Sequence, residues 1–224
     1  MPAQAGLLKF LSGFVTPERG RRFAEVLQNR TRHIVIGLEN IYQPHNASAV
    51  LRSCDCFGIQ DVHIIENENK YTFNPDVSLG AEKWLNLHRY NDGDKSLDKC
   101  IDTLKGKGYK VAVTSLHKDN YTIENIPLNN KLCLFFGTEM RGATAELESK
   151  ADMFVKIPML GFTESFNISV AAAISMYALS SRLRKESIAW QLSEQEQEEI
   201  LLQWHRNTIP KAGLLEKEFE RSHN

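Results

Sequence analysis

Polar residues and glycines gather at the ends of predicted strands and in the segments that follow them. Seven such positions stand out: Asn46, Arg52, Thr114, Gly137, Glu139, Ser165 and Asn167. In an open α/β sheet, ligands bind in the crevice beyond the carboxyl ends of the strands. The loops after the predicted strands at 109–114, 131–136 and 153–157 are therefore expected to surround one ligand.

The stretch 157–177 changes character three times within 21 residues. An apolar strand end stops at Pro158, a loop covers 159–166, and an Ala- and Ser-rich helix begins at Asn167. Asn is a preferred helix N-cap, and Gly161 permits backbone geometry that other residues resist. The pattern is typical of a ligand cradle, although it also fits a connector that leads into a tightly buried helix.

A helix is predicted to begin near Asn46, which can cap it, and to end at Gly58. On one face of this helix, Ser48 precedes Arg52 by one turn and Asp55 follows it. Such a pattern is usual for an exposed helix face held by a weak ion pair. A functional role for Arg52 therefore needs support from elsewhere in the sequence.

Several common nucleotide and metal motifs are absent from the sequence. There is no GxxxxGK[ST] phosphate loop and no HExxH zinc spacing. The first predicted strand, HIVIGLE, is followed by NIYQPHN and not by the glycine fingerprint GxGxxG. This difference argues against a nicotinamide-dependent oxidoreductase, the plainest alternative for an α/β chain.

The composition is that of an ordinary soluble protein, with 42% hydrophobic residues, 25% charged residues and a net charge of -1. A nucleic-acid partner would have to be bound by local basic patches. No apolar run approaches the ~20 residues of a membrane span, and the N-terminus lacks the pattern of a signal peptide. The four cysteines lack the paired spacing of a zinc site. We therefore expect a cytoplasmic protein with no metal site and no membrane contact.

Apolar runs alternate with helical patterns from residue 33 to residue 187. Six strands are predicted, at 33–39, 61–66, 85–90, 109–114, 132–136 and 153–157. This alternation predicts an α/β domain at 33–187 with a parallel sheet covered by helices on both faces.

Two helical extensions flank this domain, a basic arm at 1–32 and a C-terminal extension at 188–224. The arm has six Lys or Arg residues, Arg30 among them, against two Glu. Thr16 and Pro17 mark a helix start in the arm, and Ser193 with Glu196 forms a capping box in the extension. In one interpretation the arm contacts RNA phosphates, and in the other it is a solvated helix packed on the domain. The candidate phosphate contacts are Arg19, Arg21 and Arg22.

Three blocks, in this order, resemble the SpoU branch of the SPOUT RNA 2′-O-methyltransferases. They are NASAVLR at 46–52, FGTEMRG at 136–142, and the segment 157–171, which begins with IPM and ends with SFNISVA. Each block lies at the end of a predicted strand, and the likeness covers roughly residues 33–185.

The resemblance implies features that the residue pattern alone does not give. It implies a deep trefoil knot over about 131–185 and a homodimer that pairs through the knot helices. It also implies S-adenosyl-L-methionine as the methyl donor. Backbone groups near four residues would hold the adenine and ribose of the donor: Thr114, Gly137, Ile157 and Phe166.

The resemblance further assigns roles in methyl transfer. Arg52 would stand at the acceptor, where its guanidinium, too weak an acid to become a base, would hold a phosphate and stabilise an alkoxide. Asn46 and Ser165 would orient Arg52 and the ribose. Glu139 would form hydrogen bonds across the knot, and Asn167 would cap the final helix at the site.

The implied function is methylation of a ribose 2′-hydroxyl in tRNA, at guanosine 18 of the D-loop, because the two extensions fit the members that act there. The alternatives are the same reaction on ribosomal RNA or at another tRNA position, and a non-catalytic RNA-binding dimer. Phe166 stands where Leu is usual in the family, so the adenine pocket is expected to have its own shape.

Overall fold

The computed structural model describes residues 2–67, 71–72, 74–118, 120–138 and 141–223. The chain forms two units, one spanning Thr31–Trp190 and one built from the terminal segments, up to Arg30 and from Gln191 onward. The helices are α1 (Pro2–Ser12), α2 (Pro17–Leu27), α3 (Pro44–Phe57), α4 (Pro75–Ser78), α5 (Ser96–Gly106), α6 (Ala145–Lys150), α7 (Ile168–Leu183), α8 (Glu194–Thr208) and α9 (Ala212–His223).

The larger unit is built on a parallel sheet. Its strands are β1 (Ile34–Glu39), β2 (Asp61–Ile65), β3 (Asn86–Tyr90), β4 (Lys110–Thr114), β5 (Tyr121–Thr122), β6 (Leu132–Phe136) and β7 (Met153–Lys156). Their order is β3-β2-β1-β6-β4-β7-β5, and every neighbouring pair is parallel. The predicted parallel α/β sheet is confirmed. The additional strand β5 has two residues, too few to show as a hydrophobic pattern.

Helices cover both faces of this sheet and divide its core in two. Along β1, Ile36 packs with Leu51 of α3 and Leu179 of α7, whereas Val35 packs on the other side with Cys100 of α5. Strands β1, β2 and β6 are buried along their whole length. Burial on both faces explains why these strands read as continuous apolar runs without alternation.

The terminal unit packs around Trp204, which is 1% exposed. The Phe23 ring lies 5.5 Å from the Trp204 ring, and the Arg30 guanidinium carbon lies 5.5 Å from the same ring. Arg30 is itself 1% exposed, so its charge stacks on an aromatic face inside this unit. Arg30 belongs to the basic arm by its place in the sequence, but its buried guanidinium is not exposed for contact with a phosphate.

Both helix starts predicted in the terminal unit are confirmed. Thr16 is the N-cap of α2, and its hydroxyl accepts the Arg19 N–H at 3.2 Å. The Ser193 hydroxyl accepts the Glu196 N–H at 3.3 Å, and the Glu196 carboxylate accepts the Ser193 N–H at 2.8 Å. This reciprocal pair is the capping box of α8.

A polar cluster lies at the outer strands β2 and β3 of the larger unit. The Asp61 carboxylate is 3.0 Å from His88 Nε2 and 2.9 Å from Arg32 Nε. Burial alone would raise the pKa of Asp61, but the His88 hydrogen bond and the Arg32 charge lower it. His63 stacks on His88 with ring centroids 4.5 Å apart, and its Nδ1 is 3.0 Å from the Tyr90 hydroxyl. Burial, reinforced by His88, lowers the pKa of His63 to about 3.

Replacing His63 by Asn is expected to flatten the acid dependence of stability. Folded His63 has a pKa of about 3, whereas an unfolded histidine has a pKa near ~6.5, so between these values the unfolded chain binds the extra proton. The free energy of unfolding therefore falls as the pH drops below ~6.5. The part of this slope that is due to His63 approaches ~1.4 kcal/mol per pH unit. Urea unfolding of both proteins between pH ~4 and ~7 measures the two slopes.

The matched control is His117→Asn, because His117 is exposed. This variant should keep the wild-type slope. Equal slopes for wild type and His63→Asn would mean that His63 does not make the stability acid-sensitive.

Candidate active site at the carboxyl edge of the sheet

A cavity of about 290 Å³ opens at the carboxyl ends of β4, β6 and β7. Thr114 lies at the end of β4, Gly137 follows β6, and Ile157 follows β7. Ser165 and Phe166 line the same cavity from the loop before α7. The structure thus brings together the four residues predicted to contact a cofactor and places Ser165 beside them. Their roles in binding stay predictions.

One wall of the cavity is a tight turn that follows β6. Thr138 and Gly142 exchange backbone hydrogen bonds of 2.9 and 3.0 Å, and the Thr138 hydroxyl accepts the Arg141 N–H at 3.2 Å. A Cβ added at Gly137 would lie 2.1 Å from the Gly142 carbonyl carbon. No side chain fits in that space, so glycine is required for the turn to close.

Glu39, the last residue of β1, holds the end of this wall. It is 1% exposed. One carboxylate oxygen accepts the Thr144 backbone N–H at 2.9 Å, and the other accepts the Thr144 hydroxyl at 2.6 Å. The Thr144 oxygen accepts the Leu147 N–H at 3.1 Å as the N-cap of α6. Glu39 was not predicted as a site residue, although a carboxylate at the end of an apolar strand is a usable signal.

Another wall follows β4 and is tied to α6. The Ser115 hydroxyl accepts the backbone N–H groups of His117 at 3.3 Å and Lys118 at 3.1 Å. The Lys118 ammonium lies 2.7 Å from the Glu148 carboxylate and 5.0 Å from the centre of the Phe154 ring. His117 and Glu148 both line the cavity. Neither was predicted, because neither belongs to a recognisable motif.

The N-terminus of α7 is capped as predicted and is joined to α3. Asn167 Oδ1 accepts the Ser169 N–H at 2.9 Å, and Asn167 Nδ2 donates to Asn46 Oδ1 at 3.1 Å. The prediction that Asn46 caps its own helix was wrong. Gln43 is the N-cap and Pro44 the first residue of α3, since proline is favoured at that position. Asn46 instead supplies the acceptor for Asn167.

Arg52 lies on α3 with an exposed side chain. The described lining of the cavity includes none of Arg52, Asn46 and Asn167. Arg52 forms no hydrogen bond or ion pair with another described residue. One turn earlier, Ser48 donates to the Pro44 carbonyl at 2.7 Å and accepts an N–H at 2.7 Å from the loop before α4. Glu139, the remaining predicted site residue, lies outside the described residues.

Within the part of the chain that the structure describes, no group of three or more His, Cys, Asp and Glu side chains is placed to hold a metal ion. In that same part, no helix is long and apolar enough to cross a membrane.

Replacing Gly137 by Ala is expected to destabilise the larger unit, because the new Cβ would lie 2.1 Å from the Gly142 carbonyl carbon. Overpacking of this kind costs about 1–3 kcal/mol, and urea unfolding measures the cost. Gly161→Ala is the matched control, since a Cβ there meets nothing closer than the Thr163 nitrogen at 4.0 Å. Equal stability of the two variants would mean that the turn opens without cost.

Comparison with known proteins agrees with this architecture. Residues 33–177 match the SpoU rRNA methylase family. The tRNA (guanosine(18)-2′-O)-methyltransferase of Borreliella burgdorferi is 46% identical over 206 residues, which cover 92% of this chain and 93% of that protein. The protein of the same name from Thermus thermophilus is 36% identical over 163 residues, which cover 72% of this chain and 81% of that protein.

The solved structure of the A. aeolicus TrmH/SpoU tRNA modifying enzyme superposes with a TM-score of 0.76 at 27% identity. The superposition covers 87% of this chain and 98% of that chain. The family match spans well over half of the chain, and the relatives align over most of their own length. This chain therefore belongs to the SpoU methylase family.

Proposed function

We propose that this protein transfers the methyl group of S-adenosyl-L-methionine to the ribose 2′-hydroxyl of guanosine 18 in tRNA. The observation that carries the proposal is the assembly of three separated segments of the family domain around one cavity at the carboxyl edge of the sheet. The names of the similar proteins from Borreliella burgdorferi and Thermus thermophilus support the tRNA substrate and the position.

The cavity suits S-adenosyl-L-methionine in size and chemistry. Its volume of about 290 Å³ lies at the lower end of the range for small-molecule sites. Leu116, Ile157, Met159 and Phe166 offer apolar surface to an adenine ring. Gly137 lines the cavity, and its lack of a side chain lets the Gly142 backbone close the wall. When bound, the donor supplies a methyl group already activated by its sulfonium.

The protein must then position the ribose 2′-hydroxyl and manage its proton. The Arg52 guanidinium offers N–H donors and no acceptor, so it stabilises the forming alkoxide and holds a phosphate without acting as a base. A substrate phosphate or another oxygen accepts the proton. Asn46 and Ser165 orient the acceptor side, and Asn167 fixes the helix at the site.

The complete site is proposed to need a second copy of the chain. Arg52 is exposed and lies outside the described lining of the cavity. Leu160 and Phe162 are fully exposed, and Val170 and Tyr177 on α7 are 44% and 64% exposed. Apolar surface of this kind usually marks an interaction site. A homodimer formed through α7 and the knotted segment covers this surface and brings the Arg52 of one copy to the cavity of the other.

The basic arm is proposed to contact the phosphates of tRNA. Arg19, Arg21 and Arg22 are exposed on α2, and Arg22 makes only a surface pair with Glu25 at 3.3 Å. Pairs this exposed contribute little to stability, so these charges remain available to a nucleic acid. A tRNA substrate supports the proposal that the protein acts in the cytoplasm.

The direct test is transfer of tritiated methyl from the donor to unmodified tRNA, followed by mapping of the labelled nucleotide. The proposal predicts label on the 2′-oxygen of guanosine 18. Label at another tRNA position or in ribosomal RNA would reassign the substrate, and no transfer to any RNA would contradict the enzymatic function.

In this assay, Arg52→Ala is expected to lower turnover by at least about 100-fold, because loss of one donor to a developing oxyanion has this effect. Donor affinity, measured by calorimetry, should be unchanged. Lys99→Ala on α5 serves as the control for loss of an exposed cation. Full activity of Arg52→Ala would remove Arg52 from the mechanism.

Coexpression tests whether the site is shared between two copies. Arg52→Ala and Ser165→Trp, which fills the cavity, should each be inactive alone. Random pairing of the two variants should restore about a quarter of wild-type activity, because half of the dimers carry one intact site of two. If no activity is restored, each active site uses the Arg52 and the cavity of the same copy.

A further inference from the structure

We propose that Glu39 is a positioning residue for the methyl donor. It acts by fixing the cavity wall through its hydrogen bonds to Thr144. The inference rests on the proposed function and adds to it a residue that lies outside the three family blocks. Glu39 does not line the described cavity. It acts on the turn after β6, which does.

The turn is fixed to β1 at both of its ends. At its start, Phe136 of β6 pairs in register with Leu38 of β1. At its end, Thr144 donates its backbone N–H and its hydroxyl to the two oxygens of Glu39, at 2.9 and 2.6 Å. Two consecutive residues of one strand thus set where the wall begins and where it stops.

A carboxylate at this position is not explained by packing alone. Glu39 ends a strand that is otherwise apolar and buried along its length. Burying a charged group is unfavourable unless hydrogen bonds compensate it. Here the compensating donors belong to the residue that follows the cavity wall and caps α6. The hydrogen bonds that compensate the lost hydration of the carboxylate therefore also fix the position of the wall.

A second buried carboxylate on the neighbouring strand end offers a matched comparison. Glu66 follows β2 and is 9% exposed. Its oxygens accept from Arg89 at 2.8 and 2.7 Å and from the Tyr71 N–H at 2.6 Å. Neither Arg89 nor Tyr71 is part of the described cavity lining. Glu66 is thus a buried carboxylate held by hydrogen bonds to residues outside the described cavity lining.

The experiment compares Glu39→Gln with Glu66→Gln in the full-length protein. Gln keeps the size of Glu but replaces one acceptor oxygen by an N–H donor, so either the Thr144 N–H faces a donor or the Thr144 hydroxyl loses its acceptor. By calorimetry, Glu39→Gln should weaken binding of S-adenosyl-L-homocysteine about tenfold. In the methyl-transfer assay, the KM for the donor should rise by a similar factor while kcat at saturating donor is unchanged. Glu66→Gln should lower the melting temperature and leave both donor constants as in wild type.

Two variants of Thr144 separate positioning from general loss of stability. Thr144→Ser keeps the hydroxyl and should bind S-adenosyl-L-homocysteine as wild type does. Thr144→Val loses the hydroxyl, and adding it to Glu39→Gln should weaken binding less than the sum of the two single effects. Hydrogen exchange of the Leu147 amide should increase in Glu39→Gln and stay unchanged in Glu66→Gln.

The inference is overturned if Glu39→Gln binds S-adenosyl-L-homocysteine as wild type does, or if Glu66→Gln weakens binding equally. A different result identifies failure of the proposed function. If the wild-type protein itself does not bind S-adenosyl-L-homocysteine, the cavity is not a donor site and the role assigned to Glu39 falls with it.

Discussion

The Asn167 side-chain amide links the N-terminus of α7 to α3, two helices that also pack together in the core of the larger unit. Asn167 donates from Nδ2 to Asn46 Oδ1 at 3.1 Å and accepts the Ser169 N–H on Oδ1 at 2.9 Å. An aspartate would cap α7 equally well but has no N–H for Asn46. Cap and hydrogen bond each contribute about 1 kcal/mol, so their importance is geometric. They fix α3, which carries Arg52, against the end of the loop that carries Ser165.

The sequence predicts most of the sheet because burial on both faces leaves a direct signature. IVIGL within HIVIGLE and LCLFF are runs without a polar side chain, and both lie in central strands of the parallel sheet. Local capping chemistry is equally visible, as Asn167 and the capping box of Ser193 with Glu196 show. The short strand β5 and the burial of Arg30 against Trp204 were missed. Both depend on partners far away in the chain, which periodicity cannot reveal.

Only part of the candidate site could be predicted from the sequence. Gly137 and Ile157 lie in the same cavity, as expected for residues that follow parallel strands, because such strands end at one edge of the sheet. The error at Asn46 has a specific cause: Pro44 begins the helix two residues earlier and frees the Asn46 amide for a partner 121 residues away. Glu39 was missed for a similar reason, since its partner Thr144 is 105 residues distant.

The central claim is that the cavity at the carboxyl edge holds the methyl donor and that an arginine of a second copy faces it. A crystal structure of the protein with bound S-adenosyl-L-methionine tests this claim most directly. We expect the adenosyl group against Ile157 and Phe166, with the methyl group turned toward Arg52 of the second copy. A donor bound elsewhere, or an Arg52 remote from the methyl group in the assembled protein, would contradict it.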